Sequence, residues 1–96
     1  MSLYAIICND KPDSLALRMA TREAHLAYVK ATTRVGFKLG GPFLSADGTM
    51  IGSMLIVDAA TPDDVAAFVK DDPYGKAGLF RSVDIRPWKV TVGTLV

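Results

Sequence analysis

Met50-Ile51-Gly52-Ser53-Met54-Leu55-Ile56-Val57-Asp58, followed closely by Thr61-Pro62-Asp63-Asp64, is where the architecture of this chain is decided. The first stretch is dominated by long aliphatic and β-branched side chains and reads as a strand. Its alternating sets, Met50, Gly52, Met54 and Ile56 against Ile51, Ser53, Leu55 and Val57, are both largely apolar, so neither face of that strand suits open solvent. The second stretch sets a hydroxyl at an N-cap, a proline at the first helical position and acids in the first turn, where the helix dipole favours them. A helix with Val65, Phe68 and Val69 on one face follows and ends by Asp72, because Pro73 disfavours the helical conformation in the residue before it.

Working outward from there, Asp47-Gly48 is a tight turn that folds the strand back onto Phe37 to Leu44 as a hairpin. Gly40-Gly41-Pro42 interrupts this partner strand, either as a bulge that opens room for a ligand or as an irregular edge. From Asp13 to about Thr33 there is no Gly or Pro, and Leu15, Met19, Leu26 and Val29 or Lys30 recur at helical spacing, with Asp10 or Asp13 available near the N-terminus. Leu3 to Cys8 is a short β-branched and aromatic run closed by Asn9-Asp10-Lys11-Pro12, a buried strand and a turn. Leu79 to Ile85 and Trp88 to Val96 read as extended segments, divided or bent at Arg86-Pro87. The order β, α, β, β, α, β, with a possible extra terminal strand, puts both helices on one face of an antiparallel sheet. A ferredoxin-like α+β fold is therefore expected, with a bare apolar face that a second copy would cover to form a dimeric α+β barrel.

At 96 residues the chain is expected to be one domain, residues 1–96. Its 50% apolar and 22% charged content excludes disorder. Eleven basic residues against 10 acidic ones leave a net charge of +1 with no basic stripe, so no nucleic acid is expected as a partner. One cysteine, Cys8, and one histidine, His25, cannot make an internal disulfide or a structural zinc site. Gly40-Gly41-Pro42 lacks the following Gly-Lys-Ser/Thr of a phosphate loop. No metal and no cofactor are expected. Nor is a membrane span or a leader segment, which points to a cytoplasmic protein.

With the segments placed, the chain resembles the YciI-like family, whose members carry the YCII-related domain. The resemblance spans nearly the whole chain. It rests on Arg22-Glu23-Ala24-His25-Leu26-Ala27-Tyr28, on Gly41-Pro42-Phe43, Asp47-Gly48 and Gly52-Ser53, and on Asp72-Pro73-Tyr74-Gly75-Lys76-Ala77-Gly78-Leu79 followed by Arg86-Pro87-Trp88. It implies a dimeric α+β barrel and an active site built around a histidine and an aspartate, here matching His25 and Asp72. It also implies lyase- or isomerase-like chemistry, dehydrochlorination of a hydroxylated ring included.

A carboxylate that accepts the Nδ1 proton of an imidazole fixes its tautomer and raises its basicity, so Asp72 beside His25 would make an oriented general acid or base. The alternative is an interface histidine with one structural hydrogen bond and an Asp-Pro turn. Arg22 and Arg18 offer planar donors for a carboxylate or phenolate, or are solvated helix residues. Ser53 needs a partner if buried and otherwise contacts a ligand. Gly41, Pro42 and Tyr74 complete the candidate substrate contacts, and Trp88 is a further possible wall. Without a nucleophile elbow or a triad, proton transfer on a small cyclic or aromatic molecule is the expected function. The other reading is a non-catalytic module that holds a small molecule in its barrel.

Overall fold

The strand expected at Met50–Asp58 runs from Met50 to Ala59 and lies inside a four-stranded sheet. The computed structural model describes residues 2–95, in the order β1 (Ser2–Asp10), α1 (Leu15–Ala31), β2 (Gly36–Leu44), β3 (Met50–Ala59), α2 (Pro62–Asp71), α3 (Pro73–Lys76) and β4 (Phe80–Trp88). Sheet order is β2-β3-β1-β4 with every pairing antiparallel, the ferredoxin-like βαββαβ arrangement.

Strand alternation decides which residues meet the helices. Tyr4, Ile6 and Cys8 of β1 and Leu55, Val57 and Ala59 of β3 point to the helical side, where they pack on Val65, Phe68 and Val69 of α2 and on Val29 of α1. Burying each large side chain of this set contributes about 1.5–3 kcal/mol. The N-cap behaves as expected, Thr61 Oγ1 accepting from the Asp64 amide at 3.2 Å.

Turning the register over, Leu3, Ala5 and Ile7 of β1 and Met54, Ile56 and Asp58 of β3 share the other face. Met54 there is 38% exposed, while Asp58 has a buried carboxylate oxygen with no hydrogen-bond partner among the described residues. No helix among the described residues is long and apolar enough to cross a membrane.

Three expectations need correction. First, α1 does not turn its leucines and methionine inward: Leu15, Met19 and Leu26 are 42%, 50% and 36% exposed, and the buried side chains are Arg18, His25 and Val29. A polar face can be buried here because its donors find acceptors on the sheet and on α3. Asp13 also lies before the helix, in the left-handed region at φ 55°, and Ser14 takes the N-cap position without a side-chain cap bond. Second, Arg86-Pro87 does not divide the last strand. Pro87 pairs with Tyr4 inside β4, which an edge strand tolerates because a missing N–H can face outward. Residues 89–95 form no strand, and Val96 lies outside the described residues. Third, Gly40-Gly41-Pro42 holds its register against Leu55, Met54 and Ser53; the irregularities fall on either side, at Phe37/Leu39 and Phe43/Leu44. Gly40 leaves little room for a side chain, since a Cβ there would press on the Leu55 side chain and lie 3.1 Å from the Met54 carbonyl oxygen. Both edge strands thus carry an internal proline, Pro42 in β2 and Pro87 in β4.

Candidate active site

Asp72 occupies the single residue between two helices. Its amide donates to the Phe68 and Val69 carbonyls and closes α2, while its Oδ1 accepts from the Tyr74 amide at 2.8 Å and caps α3. Pro73 supplies the first position of α3 without an N–H to satisfy. Gly75 lets this short helix fold tightly back, because a Cβ there would meet the Val69 carbonyl oxygen at 2.5 Å. Asp72 is 3% exposed, so both adjoining helices fix its carboxylate in a buried place.

That carboxylate faces His25. Its two oxygens each lie 2.9 Å from His25 Nδ1. An ionised carboxylate only accepts, so Nδ1 carries the proton and, in the neutral ring, Nε2 is left with a lone pair. Nε2 makes no hydrogen bond among the described residues. The imidazole stacks on the Tyr74 ring at 4.0 Å between centroids and 15° between planes, which fixes its tilt as well as its tautomer. The ring holding His25 is therefore set by the same α3 turn that Asp72 begins.

A second buried pair lies alongside. Arg18, 2% exposed, donates from Nε to Asp10 Oδ2 at 2.7 Å and from Nη2 to Asp10 Oδ1 at 2.9 Å. Nη2 also donates to Ser53 Oγ at 2.9 Å, and the guanidinium sits 4.7 Å from the Tyr74 ring centre. Burial opposes its charge, but the hydrogen bond and charge of Asp10 prevail and hold Arg18 above its ordinary pKa. Burial raises the Tyr74 phenol despite the opposing pull of Arg18 and Arg22, and so keeps it neutral.

The two pairs flank a cavity of about 250 Å³ between α1 and the sheet. That is smaller than the roughly 300–1,000 Å³ of sites for drug-sized molecules, and suits one substituted ring. Arg22, His25, Gly41, Pro42, Ser53 and Tyr74 all line it, so the candidate residues separated along the chain converge; Asp72 stands behind His25. Trp88 is elsewhere, 44% exposed at the end of β4. Leu26, Val29, Phe37, Met50 and Leu55 supply apolar walls, and Lys30 is a further polar lining residue. Lys30 was legible only as a member of the helical recurrence beside Val29, and Asp10 only as a helix-start acid. Among the described residues no three His, Cys, Asp or Glu side chains gather as metal ligands.

Cys8 lies under this site, opposite Ser53 in the sheet. Burial, then the charges of Asp72 and Asp10, push its thiol up to about 12 from 9.0. Native protein at pH 8 is expected to resist a thiol-specific alkylating reagent and to react only once urea unfolds it; fast labelling of the native form would contradict the buried, neutral thiol. Because the unfolded thiol ionises first, stability falls as pH rises between about 9 and about 12, by up to ~1.4 kcal/mol per pH unit.

The YCII-related domain matches residues 2–89. Protein YciI of Escherichia coli O6:H1 is 33% identical over 94 residues, covering 91% of this chain and 96% of the relative. The derivative of benzaldehyde biosynthesis cluster protein C of Emericella nidulans is 32% identical over 74 residues, 69% of this chain and 76% of the relative. Among solved structures, 5-chloro-2-hydroxyhydroquinone dehydrochlorinase (TftG) from Burkholderia phenoliruptrix AC1100, in complex with 2,5-dihydroxybenzoquinone, is 40% identical with a TM-score of 0.83, covering 91% of this chain and 93% of that one.

Proposed function

This chain belongs to the YCII-related domain family, and from that premise we propose that it is a small enzyme that moves protons on a hydroxylated ring, with His25 as the group that carries them. The observation that supports this most is the buried His25–Asp72 pair, which leaves Nε2 as the unprotonated nitrogen of a residue lining a cavity sized for one ring. Asp72 is the orienting residue. Arg22, Ser53, Gly41, Pro42 and Tyr74 form the substrate contacts. The likeness to a dehydrochlorinase supports a lyase- or isomerase-like reaction.

One imidazole suffices for such a reaction. Nε2 takes the proton of a ring hydroxyl while the oxygen becomes a carbonyl, and returns it to the ring carbon that bears chlorine. Loss of a second hydroxyl proton to Nε2 then supplies the electron pair that expels chloride, so the ring leaves as a quinone, with one proton and one chloride lost. On a substrate without chlorine the first half of the sequence alone is an isomerisation. The test is turnover of phenols, lactones and chlorinated hydroquinones by wild type and by His25→Gln. Turnover that depends on His25 supports the reading, whereas a ligand bound and recovered unchanged would replace it with a binding module.

We infer as well that two copies stack their sheets through the face carrying Ala5, Ile7, Met54 and Ile56. Met54, 38% exposed, is what such a partner would cover, while Ala5 and Ile56 on the same face are already buried within the single chain. Met54→Asp is expected to shift the dimer to monomer by light scattering, weakening association by about 100-fold or more, as a charge buried without a partner requires. A Met54→Asp protein that keeps the wild-type mass, or a wild type that is monomeric, would remove the pairing.

A further inference from the structure

Every carboxylate near the cavity is already engaged behind its wall. Asp10 holds Arg18 and Asp72 holds His25, and among the described residues no carboxylate lines the cavity itself. Three cations line the space: Arg18, whose charge Asp10 matches, and Arg22 and Lys30, both exposed and without an ion-pair partner among the described residues. Arg22 and Lys30 lie on one stripe of α1, eight residues and so about 12 Å apart along the axis, with Leu26 between them.

Ser53 adds a direction to this charge. Its oxygen accepts from Arg18 Nη2, so its own proton is free to donate. The side chains of the cavity therefore present a hydroxyl donor at the sheet and two uncompensated cations on the helix, among apolar residues of both. Nε2 of neutral His25 is the lone-pair acceptor. We propose that the site selects ring compounds that arrive already ionised, with a ring-bound oxyanion held by Arg22 and Lys30 and a second ring oxygen accepting from Ser53. This deepens the reading of the cavity as the substrate site, and it holds whether or not His25 transfers a proton.

The experiment is a binding titration that involves no turnover. Dinitrophenol, an anion at neutral pH, is compared by calorimetry with dinitroaniline, which keeps the ring and replaces the oxyanion by a neutral amine. Wild type is expected to bind the anion at least about tenfold more tightly, with a preference that weakens as salt rises, because both cations sit where solvent screens them. In Arg22→Gln/Lys30→Gln the ratio of the two affinities should fall to about twofold or less, chiefly through weaker binding of the anion; both positions are exposed, and circular dichroism verifies the fold. Equal binding of the two probes to wild type, no binding of the anion at millimolar concentration, or a preference that survives the double replacement would each overturn the proposal. His25→Gln separates the two ideas. Anion preference kept there with turnover lost supports both, and preference lost there places the recognition on an imidazolium and overturns the role of Arg22 and Lys30. If preference and turnover are both kept, the anion site stands and the proton-transfer reading falls.

Discussion

Replacing His25 with glutamine is expected to lower turnover by about a hundredfold to ten-thousandfold, the usual contribution of a positioned proton-transfer group. Glutamine keeps an N–H for the Asp72 carboxylate and much of the ring's bulk, but has no nitrogen that can take and return a proton. Asp72→Asn attacks the same function indirectly. Its amide oxygen would have to serve both the Tyr74 N–H and the His25 Nδ1–H, and its amide nitrogen can only donate, so the imidazole loses its fixed tautomer. Nitrogen chemical shifts of the single imidazole report this directly: a protonated Nδ1 and bare Nε2 in neutral wild type, and a mixture in Asp72→Asn. The two replacements are expected to be strongly non-additive, the double variant turning over no more than about threefold slower than His25→Gln. Full additivity would mean that Asp72 serves the fold and not the histidine.

Arg18→Met is expected to cost about 3–5 kcal/mol in urea unfolding, a large part of the roughly 5–15 kcal/mol that holds a domain of this kind together. The partners' side chains are 3% and 4% exposed, so removal of the guanidinium leaves the Asp10 carboxylate buried with neither a cation nor water. Ser53 loses its donor in the same step. Asp10→Asn combined with Arg18→Met should recover a substantial part of the loss, because the penalty lies in the uncompensated charge more than in the absent attraction. A single replacement costing under about 1 kcal/mol, the range of solvent-exposed pairs, would mean that water reaches Asp10.

Much of this architecture is legible in the sequence itself. Thr61-Pro62-Asp63-Asp64 starts a helix for local reasons, a cap and a dipole, and such signals survive folding unchanged. The Met50–Asp58 stretch reads as a strand from its aliphatic and β-branched side chains, and Met50–Ala59 is one. What misled was the inside of α1. Leu15, Met19 and Leu26 have the spacing of a buried stripe, yet the helix turns Arg18 and His25 inward, because the partners that make this possible, Asp10, Ser53 and Asp72, lie 8, 35 and 47 residues away from them. Helical period reports which residues share a face, and only tertiary hydrogen bonds decide which face is inside. Arg18 accordingly read as one of two ligand clamps, whereas the fold ties it to Asp10 within the cavity wall and leaves Arg22 on the same cavity without such a partner. The short helix α3 escaped notice for a simpler reason: Asp-Pro followed by Gly75 has the composition of a turn, and one turn of helix is little more than that.

The two prolines of the outer strands bear on how this molecule can associate at all. With Pro42 in β2 and Pro87 in β4, each outer strand has an internal position without an N–H, so neither rim presents an unbroken ladder to a strand from another molecule. Addition of a further strand in the plane of the sheet is disfavoured at both rims, so open-ended, strand-by-strand growth finds no ready template at either.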